Sequence, residues 1–246
     1  MQSAGWMRSR MARPRIRFRG NAFQSKCAGR QCRVLGASPT MRTLIVVPII
    51  HTEQDMGSLI TQIKREYIDR FGHEKWCQHL KSIDEVWLGI RQMITVLELP
   101  YQAVQLYQDG LPTCGKEVEI VRDVAAQGST NHQLLVELMQ RGATLQGTED
   151  AQLLLQEYRL HQGDLRETSP EHEHQRSDLS RNLLLQRDRF IAERINATLV
   201  TGQIGLLFLG LAHSVETLLN ADILVRHLLP ALREKQGKLR NINDEN

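Results

Sequence analysis

The run Thr43-Leu-Ile-Val-Val-Pro-Ile-Ile50 constrains this chain more than any other feature. It is too continuously apolar for a strand with one wet face and too short for an amphipathic helix. It therefore reads as a strand buried on both faces, the mark of a parallel sheet covered by helices on each side. Pro48 falls near its end, where a ladder hydrogen bond can be spared, and His51 follows it. A second run, Ile204 to Ala212, has the same character and closes on His213. It is about half the roughly 20 residues a membrane-spanning helix needs, and Gly202, Gly205 and Gly210 flank or interrupt it, so no membrane span is expected.

Between the two runs, patterns of period 3.6 alternate with short extended segments. Leu59, Ile60, Ile63, Tyr67, Ile68 and Phe71 predict a helix with Asp55 or Ser58 as N-cap and Gly72 as its stop. Further helices are expected over 74–99, 115–127 and 130–141. Tyr101 to Tyr107 is expected as a strand ending at the turn Gln108-Asp109-Gly110-Leu111-Pro112, and Ala143 to Gly147 as another. A helix through Leu153, Leu154 and Tyr158 follows, with Thr148 as its cap. Gly163 to Asp178 has scarcely an apolar residue and reads as an exposed loop or a helix start. A long helix is predicted over 179–198, a helix over 214–220, and either strand or helix over 221–229. The expected fold is one α/β domain over 41–246, a largely parallel sheet with helices on both faces.

Charge separates this domain from what precedes it. The first forty residues hold nine Arg or Lys and no acid, which leaves 22 basic against 28 acidic residues in the remainder, a net of −6. The basic pI thus comes wholly from the leader, and the mildly acidic domain gives no reason to expect a nucleic-acid partner. The leader has no apolar run fit for a secretory signal and is expected to be disordered. Because Met41 directly precedes RTLIVVPII, the simplest reading starts the natural chain there. An organellar transit peptide and a basic arm are the alternatives. Cysteines at 27, 32, 77 and 114 form no C-x-x-C or zinc ladder, and a reducing cytoplasm is the simplest location.

In a parallel sheet, ligands sit beyond the carboxyl ends of the strands. His51, Asp109, Glu149 and His213 all fall at expected strand ends, a set of two imidazoles and two carboxylates able to bind a divalent metal or to divide acid and base roles. In the long helix, Arg187 and Arg194 fall in the middle of the apolar stripe. Each either reaches solvent or pairs with a carboxylate such as Glu149, or else Arg187 enters the crevice and fixes a substrate oxyanion. His172 and His174 read as polar surface, and His73 and His79 as packing around Trp76 and Cys77. No G-x-S-x-G elbow, G-x-G-x-x-G or Walker loop is present.

Three blocks carry a resemblance: TLIVVPIIH (43–51), the helix segment Arg187-Asp188-Arg189-Phe190-Ile191-Ala192-Glu193-Arg194-Ile195, and Gly210-Leu211-Ala212-His213. Together they resemble the TraB superfamily, which includes TraB/PrgY proteins, Tiki-type metalloproteases and, more distantly, erythromycin esterases and ChaN-like proteins. The resemblance implies a site of two histidines, an acid and the helix arginine, and in Tiki-like members a divalent-metal-dependent hydrolase. The chain departs from the pattern at Pro48, where the first block of the family has Gly, and at Asp188, where Asn is usual; Glu149 takes the place of the missing acidic motif. The expected activity is hydrolysis of a small-molecule or peptide substrate, with His51, His213 and Glu149 as metal ligands and Arg187, Glu149 and Asp109 as catalytic groups. The alternative left open is a small-ligand-binding or signalling module without turnover.

Overall fold

The computed structural model describes residues 41–50, 60–162 and 170–230, which belong to one compact unit. The expected opening strand forms as β1 (Arg42–Ile49), buried along its whole length. It is followed by α1 (Ile60–Phe71), α2 (His73–Val96) and β2 (Val104–Gln108), then α3 (Glu117–Ala126) and α4 (Thr130–Gln140). Next come β3 (Thr144–Gln146), α5 (Ala151–Gln162), α6 (Pro170–Thr198), β4 (Ile204–Gly210) and β5 (Ile223–His227). The strands form a parallel sheet in the order β3-β2-β4-β1-β5, with helices on both faces.

Side-chain alternation along the strands divides the core in two. Ile45, Val47 and Ile49 of β1 face Trp87, Ile90 and Ile94 of α2 and the helices α3 and α4. Leu44 and Val46 point the other way, onto Ile191 and Ile195 of α6 and Leu199 just after it. Trp87 further ties α2 to the end of β1 by donating its indole N–H to the Ile50 carbonyl at 2.9 Å. Among the described residues, no helix is long and apolar enough to cross a membrane.

Several local expectations change. Tyr101–Ala103 form a turn of 3-10 helix, so β2 begins only at Val104. The cap of α5 is Asp150, whose Oδ1 accepts the amides of Gln152 and Leu153 at 2.8 and 3.0 Å; Thr148 instead accepts the Gln108 amide and braces β2. Of the polar segment 163–178, the part from Pro170 onward is helix, with proline at the first position, where its missing N–H costs nothing. Residues 214–220 hold only a short 3-10 turn, and within 221–229 the segment Ile223–His227 is strand. Gly72 does end α1, with φ of 85° that favours glycine. The leader, Asp55, Ser58 and His51 lie outside the described residues.

This strand order positions the site. The connection after β2 runs outward to β3, whereas the one after β4 runs the other way, past β1 to β5. The two neighbours diverge, and the crevice beyond their carboxyl ends is where α/β sheets place ligands.

Candidate functional site

A cleft of about 850 Å³ opens at that divergence, and Asp109 and His213, the residues just beyond β2 and β4, both line it. Asp109 is anchored by the sheet edge itself: its amide donates to Phe208 O at 2.9 Å, and its Oδ2 accepts the Gly210 amide at 2.9 Å. A Cβ on Gly210 would stand 2.7 Å from that oxygen, so glycine is what lets the backbone reach it.

Glu149 arrives from β3. Beyond the sheet, the chain segments after β2 and β3 keep running side by side, with Glu149 N donating to Leu111 O and Thr113 N to Glu149 O. Gly147 permits this approach, since a Cβ there would meet the Thr113 Cα at 2.7 Å. Glu149 is consequently fully buried, beside Asp109.

The third contribution comes from α6, which runs antiparallel to the strands. The carbonyls of Asn196, in its last turn, and of Leu199, just after it, accept from Arg42 at the start of β1. Asp188 lies eleven residues before Leu199, roughly 16 Å of helix, which spans the sheet and delivers Arg187 and Asp188 to the opposite edge. Both are buried.

Arg187 meets three carboxylates. Its Nε and Nη2 bind Glu149 as a fork at 2.9 and 2.6 Å, Nη2 also reaches Asp109 Oδ1 at 2.7 Å, and Nη1 reaches Glu157 of α5 at 2.6 Å. Four of the five guanidinium N–H groups are thereby committed. Of the alternatives read from the sequence, pairing with Glu149 forms, and Arg187 also reaches the strand-end cleft, which it helps to line. Arg194 turns to the Gly147 carbonyl at 3.1 Å.

His213 lies between two further acids. Its Nδ1 is 2.6 Å from Asp188 Oδ1 and its Nε2 3.3 Å from Asp109 Oδ1. Burial alone would lower the imidazole pKa, but these two carboxylates override it and raise it to about 9. Asp109 is pushed up by burial, yet His213 and Arg187 hold it well below the usual carboxylate range. Glu149 is raised, because burial and the neighbouring Asp109 charge outweigh its share of Arg187. Two adjacent carboxylates thus have pKa values driven apart, the pattern that separates an acid from a base.

Asp109, Glu149 and His213 each offer a ligand atom, all within 4.8 Å of one another, and this group could hold a metal ion. Four expected residues, Asp109, Glu149, Arg187 and His213, therefore converge, and His51 falls outside the described residues. Asp188 and Glu157 were not anticipated as members. Asp188 had two signals, its place beside Arg187 in the middle of the apolar stripe and its position in the block that resembles the TraB superfamily; Glu157 looked like ordinary surface charge on α5. His79, expected as packing, stacks on Tyr67 at 5.5 Å and also lines the cleft.

No protein-family model, curated protein or solved structure matches this chain significantly.

Proposed function

We propose that this protein is a divalent-metal-dependent hydrolase, with Asp109, Glu149 and His213 as its metal-binding centre and the adjoining cleft as the seat of a small-molecule or peptide substrate. The observation that carries this reading is charge. Among the described residues, the cations that meet Asp109, Glu149, Glu157 and Asp188 are Arg187 and, when protonated, His213, so four carboxylates face two positive charges at a largely buried site. Such an excess attracts a dication.

The donor set fits one. A carboxylate offers about four acceptor positions; Asp109 and Glu149 each use three on Arg187, His213 or backbone amides, and the fourth meets the other's carboxyl, a contact that an ion between them would replace. Asp188 on Nδ1 directs Nε2 of His213 toward the two acids, the usual arrangement behind a ligating histidine. When bound, the ion would polarise a carbonyl and lower the pKa of a water. The protein's own groups supply the rest: Glu149, whose proton affinity is raised by burial, is suited to take a proton, and Arg187 keeps both carboxylates aimed at the same point. The resemblance to the TraB superfamily in three short blocks supports the same assignment.

A second reading, ligand binding without turnover, is favoured by one feature. Its partners among the described residues leave Arg187 one N–H, so it has little to offer an oxyanion. Calorimetric titration of Mn²⁺ and Zn²⁺ into the chelator-treated full chain, followed by ester and amide hydrolysis assays, separates the two. One ion per chain, bound at least tenfold more weakly by His213→Ala, together with metal-dependent turnover, is the expected result. Absence of specific binding overturns the metal centre, whereas binding without turnover selects the second reading.

A further inference from the structure

A chain of amides leads from the centre into the cleft wall. Gln108 is buried at the end of β2, and its Nε2 donates to the backbone carbonyl of Asp109 at 3.0 Å. A carbonyl only accepts, so this bond dictates which end of the Gln108 amide faces it. Gln108 Oε1 therefore faces away and accepts Nδ2 of Asn131 at 3.0 Å. The orientation of Asn131 is fixed in turn, since flipping it would set two acceptors against each other.

What remains is Asn131 Oδ1. It has no hydrogen-bond partner among the described residues, on a side chain only 1% exposed. Buried polar atoms are nearly always satisfied, and an orphan calls for a physical reason. Packing supplies none, because a leucine would fill this place in the first turn of α4 without stranding an acceptor. Asn131 does line the same cleft as Asp109 and His213, a cleft whose wall also holds the apolar Ile83, Ile120, Val124 and Leu154 beside the polar Gln127 and His132.

We propose that Asn131 is a ligand-orienting residue: its Oδ1, closed to solvent in the ligand-free protein, is uncovered when the side chain yields toward the cleft, and then receives one N–H or O–H of an uncharged, otherwise apolar segment of the substrate, while the reacting end lies at Asp109 and His213. The substrate class is thus a neutral amide or alcohol with an apolar body. This inference rests on the cleft being the substrate site, and is independent of whether a metal binds or turnover occurs.

The test uses two neutral probes that differ by one donor, N-butylhexanamide and N-butyl-N-methylhexanamide, titrated into the isotope-labelled, metal-free full chain and followed by NMR. Wild type should bind the N–H amide about five- to tenfold more tightly, the size of one hydrogen bond to a buried acceptor. That probe alone should shift the Asn131 side-chain amide resonances. Asn131→Leu should bring the ratio to about one, and Asn131→Ser, which keeps an acceptor, should restore part of it. Should Asn131→Leu fail to fold, the wild-type ratio and the Asn131 resonances still decide. Equal affinities in wild type, no binding of either probe, or a ratio unchanged in the leucine variant would each overturn the proposal and assign the orphan acceptor to a structural water. Failure of the hydrolase reading appears separately, as missing metal uptake or turnover with the probe ratio intact.

Discussion

Asp188 holds the ring of His213 from behind: its Oδ1 lies 2.6 Å from the imidazole Nδ1, and its Oδ2 accepts the Ser214 backbone amide at 2.9 Å. The carboxylate thus orients the histidine and the turn that carries it. Arg187, the preceding residue of α6, does the corresponding work for Glu149 and Asp109. One helical step therefore sets both halves of the centre.

Asp188→Asn should lower the His213 pKa from about 9 toward its ordinary 6.5, because one of the two carboxylates that raise it loses its charge. Histidine ring NMR titration of the metal-free protein measures this directly. An unchanged pKa would mean that Asp109 alone governs the imidazole.

Stability should depend on pH through the same histidine. Its folded pKa is raised above 6.5, so its contribution is fully present below pH 6.5 and is lost as pH rises through about 9. Thermal melts of metal-free wild type should show a fall of a few degrees across that window, and His213→Gln should lack it. Asp109 acts in the opposite sense: its carboxyl is held low, so its contribution disappears only on acidification. A flat wild-type profile between pH 6.5 and 9 contradicts the network.

Removing the guanidinium should be the most costly single change at the site. Arg187→Met leaves Glu149 and Asp109 buried without their shared partner, a loss of about 3–5 kcal/mol, which lowers the melting point by about 10 °C or more. Arg187→Lys restores charge but not the fork to Glu149, and should fall between. Urea unfolding of the three proteins gives the ranking, and equal stabilities would show that the pairings contribute nothing net.

The two close-approach glycines should respond differently to alanine. In Gly147→Ala the new Cβ meets backbone at Thr113, which cannot turn aside, so a loss of about 1–3 kcal/mol is expected. In Gly210→Ala it meets the end of the Asp109 side chain, which can rotate. Its stability cost should be smaller, but the His213 pKa should drop as Asp109 moves away. Denaturation and NMR titration of both variants distinguish the two effects.

The two central strands were legible because burial on both faces is written into the run itself. TLIVVPII and the run after Ile204 leave no polar side for water, whatever their neighbours. Gly72 and the turn after β2 were legible for a similar reason, since local conformation there limits which residues fit. Residues at strand ends could likewise be named, because the end of a strand is a position in sequence. The start of α6 stayed ambiguous, as its charged first turns have no apolar stripe to announce a helix.

Sequence alone thus determined the fold class and proposed Asp109, Glu149, Arg187 and His213 as members of a site, because hydrophobic period and strand ends are local properties of the chain. Tertiary structure alone decided that β3 lies beside β2 and that β4 inserts between β2 and β1, and these placements bring residues about forty and a hundred positions apart, respectively, into hydrogen-bonding distance. It also decided that Arg187 binds Glu149, Asp109 and Glu157 together, that Asp188 serves His213, and that Asn131 keeps an unmet acceptor. The partner of a buried polar group depends on which strands and helices become neighbours, and neighbour choice follows from packing the whole sheet.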